Sequence, residues 1–225
     1  MFHVKQIEII EKAIAALNIQ DSAQTLELFT EYSNLIREAN LRLNLVSEND
    51  VNRIAEQHFI DSLGFARYAD FSSDTMIMDL GSGAGFPGIV LAVLFPDMPV
   101  VLVESRKKKA RFLENTVKSL ALKSVEVVGE RAENLKSSDF MFSTVLARSV
   151  AKTSVLVKWC SSVLNPSHGR IITIKGPDVK QELSELAKIA AKYSIKKWDK
   201  VPFNPFPEII RRPKRTLVTV YTGTT

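Results

Sequence analysis

The chain has 225 residues, 45% of them hydrophobic and 24% charged, and carries a net charge of +5. This size suits one α/β domain with an extension, and the longest apolar run, residues 88–95, falls far short of the roughly 20 residues that a membrane span needs. Cys160 is the single cysteine, which excludes disulfides within the chain and is typical of a reducing compartment. Because the first residues also lack the apolar core of a secretory signal, we predict a cytoplasmic protein that does not contact a membrane.

Helical patterns dominate the first third of the chain. Apolar residues recur at helical spacing in three segments, at about 4–17, 21–41 and 51–68. Asp21 is a plausible N-cap of the second segment. In the third segment, His58 and Asp61 lie one turn apart, and we predict that they form a structural hydrogen-bonded pair. Residues 1–72 are therefore predicted to be a helical extension packed on the domain that follows.

From Thr75 onward, short apolar runs alternate with helical patterns. Strands are predicted at about 75–80, 99–104, 124–128, 142–147, 170–175, 195–201 and 216–222. Helices are predicted between the first six strands, at about 87–95, 106–120, 132–136, 152–163 and 180–192. Continuous apolar strands are typical of a parallel sheet covered on both faces, and the prolines before the last strand leave no room for a helix. We therefore predict that residues 73–225 form a Rossmann-like α/β domain, with six parallel strands and an antiparallel last strand.

The segment Asp79-Leu-Gly-Ser-Gly-Ala-Gly-Phe-Pro-Gly88 joins a buried strand to a helix through a glycine-rich turn. Alternating glycines permit positive φ and let a ligand press against the main chain, here at Gly81 and Gly83. A dinucleotide fingerprint requires glycine at the sixth position, where this chain has Phe86. The turn instead resembles the S-adenosylmethionine loop of Rossmann-like methyltransferases. A nicotinamide-dependent oxidoreductase with the same turn is the first alternative.

Acidic and basic residues follow the other strand ends. Glu104 ends the second strand 23 positions after Gly81, close to the spacing of about 20 at which an acidic residue contacts ribose hydroxyls. The third strand leads into residues 129–133, where an adenine edge would be recognised, and Arg148 ends the fourth strand. Ligands of open α/β sheets bind at the carboxyl ends of the strands. We therefore predict that these residues surround one cofactor site.

Further motifs extend this pattern along the chain. They are His58-Phe-Ile-Asp-Ser62, Gly-Phe-Pro-Gly88, Arg131-Ala-Glu133, Ala147-Arg-Ser149, Gly169-Arg170 and Ile174-Lys-Gly176. Together they closely resemble the bacterial 16S rRNA guanine-N7 methyltransferases, the RsmG family, formerly called glucose-inhibited division protein B, over about residues 25–220. Relatives usually carry a Trp-Asn…Asn-Leu-Thr segment, from which this chain departs at Ala39 and Val46.

The resemblance implies a fold, a cofactor and a substrate. It implies the class I methyltransferase fold, with S-adenosylmethionine contacts at Gly81, Phe86, Ala132, Glu133 and Arg148, and with an acidic residue at Glu104. It implies methylation at N7 of a guanine in the decoding-region loop of the small-subunit rRNA. It also implies low-level streptomycin resistance when the enzyme is lost.

The implied reaction makes modest chemical demands. Guanine N7 carries an in-plane lone pair and no proton, so orientation matters more than a general base. Arg148 is the catalytic candidate, positioning the cofactor's carboxylate or guanine O6. The fourth strand lacks the Pro-Pro motif of adenine-N6 methylases, and Cys160 is predicted to be inert core rather than a nucleophile. The dispersed His3, His58 and His168 predict no metal site.

Two compact basic clusters are predicted to follow RNA phosphates. They comprise Lys107, Lys108, Lys109 and Arg111 after the second strand, and Arg211, Arg212, Lys214 and Arg215 near the C-terminus. Lys175, at the end of the fifth strand, is a further candidate. The alternative for the two clusters is a solvated helix face and a solvated loop. A catalytically silent RNA-binding relative is the second alternative function. We predict a monomer without an obligate protein partner, whose partner is 16S rRNA or the small ribosomal subunit.

Overall fold

The structure is a computed structural model that describes residues 4–19 and 22–223, so the N-cap predicted at Asp21 and the dispersed His3 lie outside the described residues. The helices are α1 (Val4–Ala16), α2 (Ser22–Leu43), α3 (Glu48–Val51), α4 (Ile60–Tyr68), α5 (Gly88–Leu94), α6 (Lys107–Ser119), α7 (Thr153–Cys160) and α8 (Lys180–Ile189), with a π-helix at Ala55–Phe59 and 3₁₀ turns at Ala132–Asn134 and Ala191–Tyr193. The strands are β1 (Ile77–Leu80), β2 (Val100–Val103), β3 (Val125–Val128), β4 (Thr144–Arg148), β5 (Arg170–Lys175), β6 (Lys197–Pro202) and β7 (Thr216–Tyr221).

The strands form one sheet in the order β3-β2-β1-β4-β5-β7-β6. Neighbouring strands from β3 to β5 are parallel, while β7 runs antiparallel between β5 and β6. The prediction of six parallel strands and an antiparallel last strand is confirmed. The strand order reverses between β1 and β4, and this is where an open α/β sheet binds its ligand.

Helices cover both faces of the sheet with two apolar cores. One core joins α1, α2, α4, α5 and α6 to the sheet, and the other joins α7 and α8 to the opposite face. The N-terminal helices therefore share a core with the sheet, and the boundary at residues 72 and 73 stays a prediction. Cys160 is fully buried in the second core, where burial raises the pKa of its thiol to about 12 and keeps it protonated at neutral pH.

The prediction of one continuous helix over residues 51–68 is wrong. The chain instead forms α3, a turn, the π-helix and then α4. Gln6 of α1 occupies the break: its side chain donates to the Asn52 carbonyl at 2.6 Å and accepts from the Ala55 backbone N–H at 3.0 Å. Because this amide satisfies backbone groups that a continuous helix would pair, the interruption is stabilised by tertiary contact.

No helix in the described part of the chain is both long and apolar enough to cross a membrane.

Candidate active site

The turn after β1 exposes backbone at the carboxyl edge of the sheet. Gly81, Gly83 and Gly85 have φ of 69°, 59° and 102°, values that glycine adopts without steric cost. A methyl group added at Gly83 would meet only the Gly81 carbonyl, at 3.8 Å. This space lets a ligand lie directly against the main chain.

Asp79 joins this turn to the start of α5. Its Oδ2 accepts a hydrogen bond from the Gly88 backbone N–H at 2.9 Å, while Oδ1 is buried and has no protein partner among the described residues. Burial raises the pKa of this carboxyl to about 7. Asp79 therefore holds the strand–turn–helix unit together, and its ionised form is disfavoured.

Replacing Asp79 with asparagine tests this burial. Asparagine keeps an acceptor for Gly88 and cannot ionise, so it resembles the protonated carboxyl. The raised pKa means that Asp79 lowers the stability of wild type as pH rises from about 4 through 7, and Asp79→Asn lacks this one contribution. Between pH 5 and pH 8 the variant should therefore gain about 2–3 kcal/mol relative to wild type in urea unfolding. Asp79→Ala, which removes the acceptor, should cost about 1–3 kcal/mol instead. If the difference in unfolding free energy between wild type and Asp79→Asn stays constant with pH, the raised pKa assigned to Asp79 is wrong.

Glu104 braces the same turn from the end of β2. Its two carboxylate oxygens accept from the Gly83 backbone N–H at 3.0 Å and the Arg106 backbone N–H at 2.8 Å. The residue is 7% exposed. A carboxylate can accept about four hydrogen bonds, so two acceptor positions remain beside Gly83.

Arg148 lies across the site from Glu104, at the end of β4. Its Nη2 is 2.7 Å from Nδ1 of His58, and its guanidinium lies 5.5 Å from the centre of the Phe86 ring. The His58 ring stacks on Phe86 with a centroid distance of 5.1 Å. Phe86 of the glycine turn, His58 of the π-helix and Arg148 therefore form one packed group, with the π-helix aiming His58 at the strand end.

His58 is a neutral acceptor in this group. Burial, reinforced by the positive charge of Arg148, lowers the pKa of its imidazole to about 4. At neutral pH, Nδ1 accepts from Arg148, which leaves the proton on Nε2, 3.7 Å from the Asp50 carboxylate. The hydrogen-bonded pair predicted between His58 and Asp61 is wrong, because each side chain has a different partner.

Asp61 is the shared counter-ion of three arginines. Its side chain, 4% exposed, lies 3.0 Å from Nη2 of Arg212, 2.5 Å from Nη1 of Arg215 and 3.7 Å from Nη1 of Arg148. Arg212 also donates to the carbonyl of Glu56 and the side chain of Gln57. We call Asp61, Arg148, Arg212 and Arg215 the buried arginine cluster. It connects the C-terminal segment to the π-helix and to the end of β4.

This cluster changes the predicted RNA-contacting set. The sequence predicts that Arg212 and Arg215 follow phosphates, but the structure shows their guanidinium groups bound to Asp61. Lys175 is 2.8 Å from the Glu182 carboxylate and also contacts the Ala151 carbonyl, so it too has a structural role. The candidates whose side chains stay open to solvent are Lys107, Lys108, Arg111, Arg211 and Lys214, with Lys109 half-buried.

The predicted cofactor residues meet at one edge of the sheet. Gly81, Gly83, Phe86, Glu104 and Arg148 lie at the ends of β1, β2 and β4 or in the turns that follow. Ala132 is buried and Glu133 is exposed in the first 3₁₀ turn, which follows β3. Their contacts to a cofactor stay a prediction.

Tyr32 is a site residue that the sequence analysis missed. Its hydroxyl donates to the Ala84 carbonyl at 2.7 Å, and its ring packs against Phe86 with a centroid distance of 5.2 Å. Burial raises the pKa of this phenol well above its usual value, so the hydroxyl remains a donor. Helix α2 therefore holds the glycine turn in place through the hydrogen bond and ring contact of Tyr32. The only local signal was an aromatic residue on the apolar stripe of α2.

Comparisons with known proteins converge on one family. The model of the family described as rRNA small subunit methyltransferase G matches residues 25–205. The chain is 36% identical to Ribosomal RNA small subunit methyltransferase G of Mycoplasma capricolum, over 73% of this chain and 71% of that protein. It is also 36% identical to the protein of the same name from Halorhodospira halophila, over 79% of this chain and 82% of that protein.

Solved structures share the fold at low sequence identity. M. jannaschii TYW2, solved in complex with AdoMet, superposes with a TM-score of 0.55 at 14% identity, over 73% of this chain and 74% of that chain. The O-methyltransferase from a trans-AT PKS multienzyme of Brevibacillus brevis, in complex with S-adenosyl-L-homocysteine, gives 0.57 at 15% identity, over 85% and 79%. These similarities establish the class of fold.

Proposed function

The chain belongs to the rRNA small subunit methyltransferase G family, and on that basis we propose that it methylates N7 of one guanine in the decoding-region loop of 16S rRNA. It is a methyltransferase, and S-adenosylmethionine is its methyl donor. The observation that carries the proposal is the family match across the glycine turn, Glu104 and Arg148, which the structure brings to one edge of the sheet.

The residues of the glycine turn fit this cofactor. Gly81 and Gly83 leave room beside the backbone, and Glu104 has acceptors free for ribose hydroxyls. Phe86, Ala132 and Glu133 are proposed contacts from the family resemblance. When bound, S-adenosylmethionine supplies a methyl group made electrophilic by the adjacent sulfonium.

The chain's own groups act by positioning. Guanine N7 has a lone pair and no proton, so no side chain has to serve as a general base. His58, with its pKa lowered to about 4, is a poor base at pH 7 and serves as the acceptor that orients Arg148. Arg148 then directs its remaining donors toward guanine O6 or the methionine carboxylate. The apolar rings of Phe86 and Tyr32 help exclude water from this group.

The RNA surface that we propose comprises the exposed cations Lys107, Lys108, Arg111, Arg211 and Lys214, together with the half-buried Lys109. Their binding to phosphates should weaken steeply as salt rises. The partner is 16S rRNA or the small subunit, and we propose a cytoplasmic monomer that needs no obligate protein partner.

Transfer of labelled methyl groups to purified ribosomal subunits tests the proposal. Subunits from a strain without this gene should accept about one methyl group per small subunit, and large subunits should accept none. A protein that binds S-adenosylmethionine and RNA but labels neither would be the catalytically silent relative.

Glu104→Gln tests the cofactor half of the proposal. The glutamine amide presents donors where the carboxylate accepts from Gly83 and Arg106, so one hydrogen bond to a charged acceptor is lost. We expect S-adenosylmethionine affinity to fall about 10–100-fold in calorimetric titration. Glu114→Gln, an exposed residue of α6, is the matched control and should change affinity less than twofold. Wild type that binds NAD in preference to S-adenosylmethionine would support the oxidoreductase alternative.

A further inference from the structure

A groove opens at the carboxyl edge of the sheet, beside the buried arginine cluster. Three segments line it, 177–180, 200–204 and 212–216, around a cavity of about 670 Å³. Thr216, at the start of β7, pairs with both Lys175 of β5 and Pro202 of β6. The groove therefore lies at the edge where the glycine turn and Arg148 also lie.

The rim of this groove is basic. Lys180, Lys200 and Lys214 line it and are exposed. Within residues 4–19 and 22–223, none of these three ammonium groups lies within 4.0 Å of a carboxylate. Asp178 is the one acidic residue of the lining, and its carboxylate accepts from the Lys180 backbone N–H at 3.0 Å. The rim thus presents lysines that are free to contact an anion.

The floor of the groove carries surplus positive charge. Arg212 and Arg215 both line the cavity, and they share Asp61 with Arg148. Three guanidinium groups around one carboxylate leave two positive charges uncompensated within the cluster. Arg215 Nε and Nη2 are buried and have no hydrogen-bond partner among the described residues. A polyanion lying over this floor would balance the charge.

The walls of the groove are apolar between the lysines. The exposed apolar residues of the lining are Pro177, Val201, Pro202 and Pro213. Val201 is 42% exposed. The exposed Asn204 adds an amide that can donate to and accept from a base edge. Apolar surface flanked by ammonium groups fits an unstacked nucleotide, whose base needs apolar contact and whose phosphate needs a cation.

We propose that this groove holds single-stranded rRNA nucleotides adjacent to the target guanine. Lys180, Lys200 and Lys214 contact their phosphates, and a base packs on Val201 and Pro202. The inference rests on the proposed function, since it assigns the RNA substrate to a defined part of the surface. Asp61 joins the groove to the transfer site, because one oxygen, Oδ2, contacts Arg215 at 2.5 Å and lies 3.7 Å from Arg148.

Charge reversal on the rim tests the groove. We expect Lys200→Glu/Lys214→Glu to raise the KM for small subunits at least tenfold. Its S-adenosylmethionine affinity should stay within twofold of wild type, and its urea unfolding midpoint should be unchanged. The control, Lys118→Glu/Lys123→Glu, makes the same charge change on exposed residues at the opposite edge and should leave KM within twofold. Equal KM values for the two double variants would overturn the proposal that the groove binds RNA.

A binding measurement separates this inference from the proposed function. The dissociation constant of a fluorescent single-stranded RNA with the decoding-region sequence is measured for both double variants, without methyl transfer. If only Lys200→Glu/Lys214→Glu binds this RNA more weakly, the result supports RNA binding in the groove, even if wild type labels no rRNA. A wild type that labels no rRNA would reject the proposed function. Binding that is equal in both variants rejects the groove even if wild type methylates rRNA.

Discussion

Asp61→Asn should lower the free energy of unfolding by about 3–5 kcal/mol, because it leaves three arginines without their buried counter-ion. The carboxylate contacts Arg212 and Arg215 directly and lies 3.7 Å from Arg148. Asparagine is nearly isosteric, so the loss reports charge rather than volume. Because Arg148 also loses its anionic neighbour, methyl transfer should fall with stability. Urea unfolding and steady-state kinetics on the same preparation measure both effects.

Asp74→Asn is the matched control for this prediction. Asp74 pairs with Arg170 at 2.7 Å and accepts from Thr144, at the amino edge of the sheet. Its loss should lower stability as well, but kcat should stay within twofold of wild type because the edge that bears the glycine turn is intact. A loss of less than 1 kcal/mol for Asp61→Asn, or equal losses of kcat in the two variants, would contradict the role assigned to the buried arginine cluster.

Arg148→Lys should lower kcat about 100-fold while preserving the positive charge. The guanidinium reaches His58 through Nη2 and the Gln57 carbonyl and Asp61 carboxylate through Nη1, at 2.7, 3.4 and 3.7 Å. A lysine ammonium is a compact charge and cannot contact His58 and Asp61 at the same time, as the planar guanidinium does. The acceptor base would lose its fixed orientation, and single-turnover transfer to small subunits measures that loss directly.

Arg170→Lys provides the comparison for Arg148→Lys. Arg170 is another partly buried arginine, held 5.6 Å from the Phe71 ring much as Arg148 is held 5.5 Å from Phe86. It lies at the start of β5, so its replacement should affect stability without changing kcat. If both variants keep wild-type kcat, Arg148 does not position the reactants.

The cofactor turn was predictable because its determinants are local. A strand end, three glycines and Pro87 follow one another within ten residues, and Glu104 comes at the spacing set by one strand–helix–strand unit. The sheet followed from the same alternation, and the prolines before residue 216 identified the antiparallel strand. Periodicity could not reveal the π-helix, because its backbone is stabilised by contacts such as that of Gln6 from another helix.

The buried arginine cluster could not be predicted from local pattern. Arg212 and Arg215 lie 151 and 154 positions from Asp61, and their run of basic residues looks like a solvated surface. One signal was present: Asp61 follows Phe59 and Ile60 and precedes Leu63, and a charge in such an apolar stretch needs a buried partner. The sequence has 30 lysines and arginines, so that signal does not identify which of them pair with it.

Mapping the methylated base tests the central claim most directly. Small subunits lacking the modification are incubated with the protein and S-adenosylmethionine, and the 16S rRNA is then cleaved chemically at N7-methylguanine and sequenced. We predict one new cleavage site, at a guanine in the decoding-region loop. The site should be absent when the Arg148→Lys variant is incubated for the same time under single-turnover conditions. Methylation at another atom or another base, or no methylation by a protein that binds S-adenosylmethionine, would contradict the assignment.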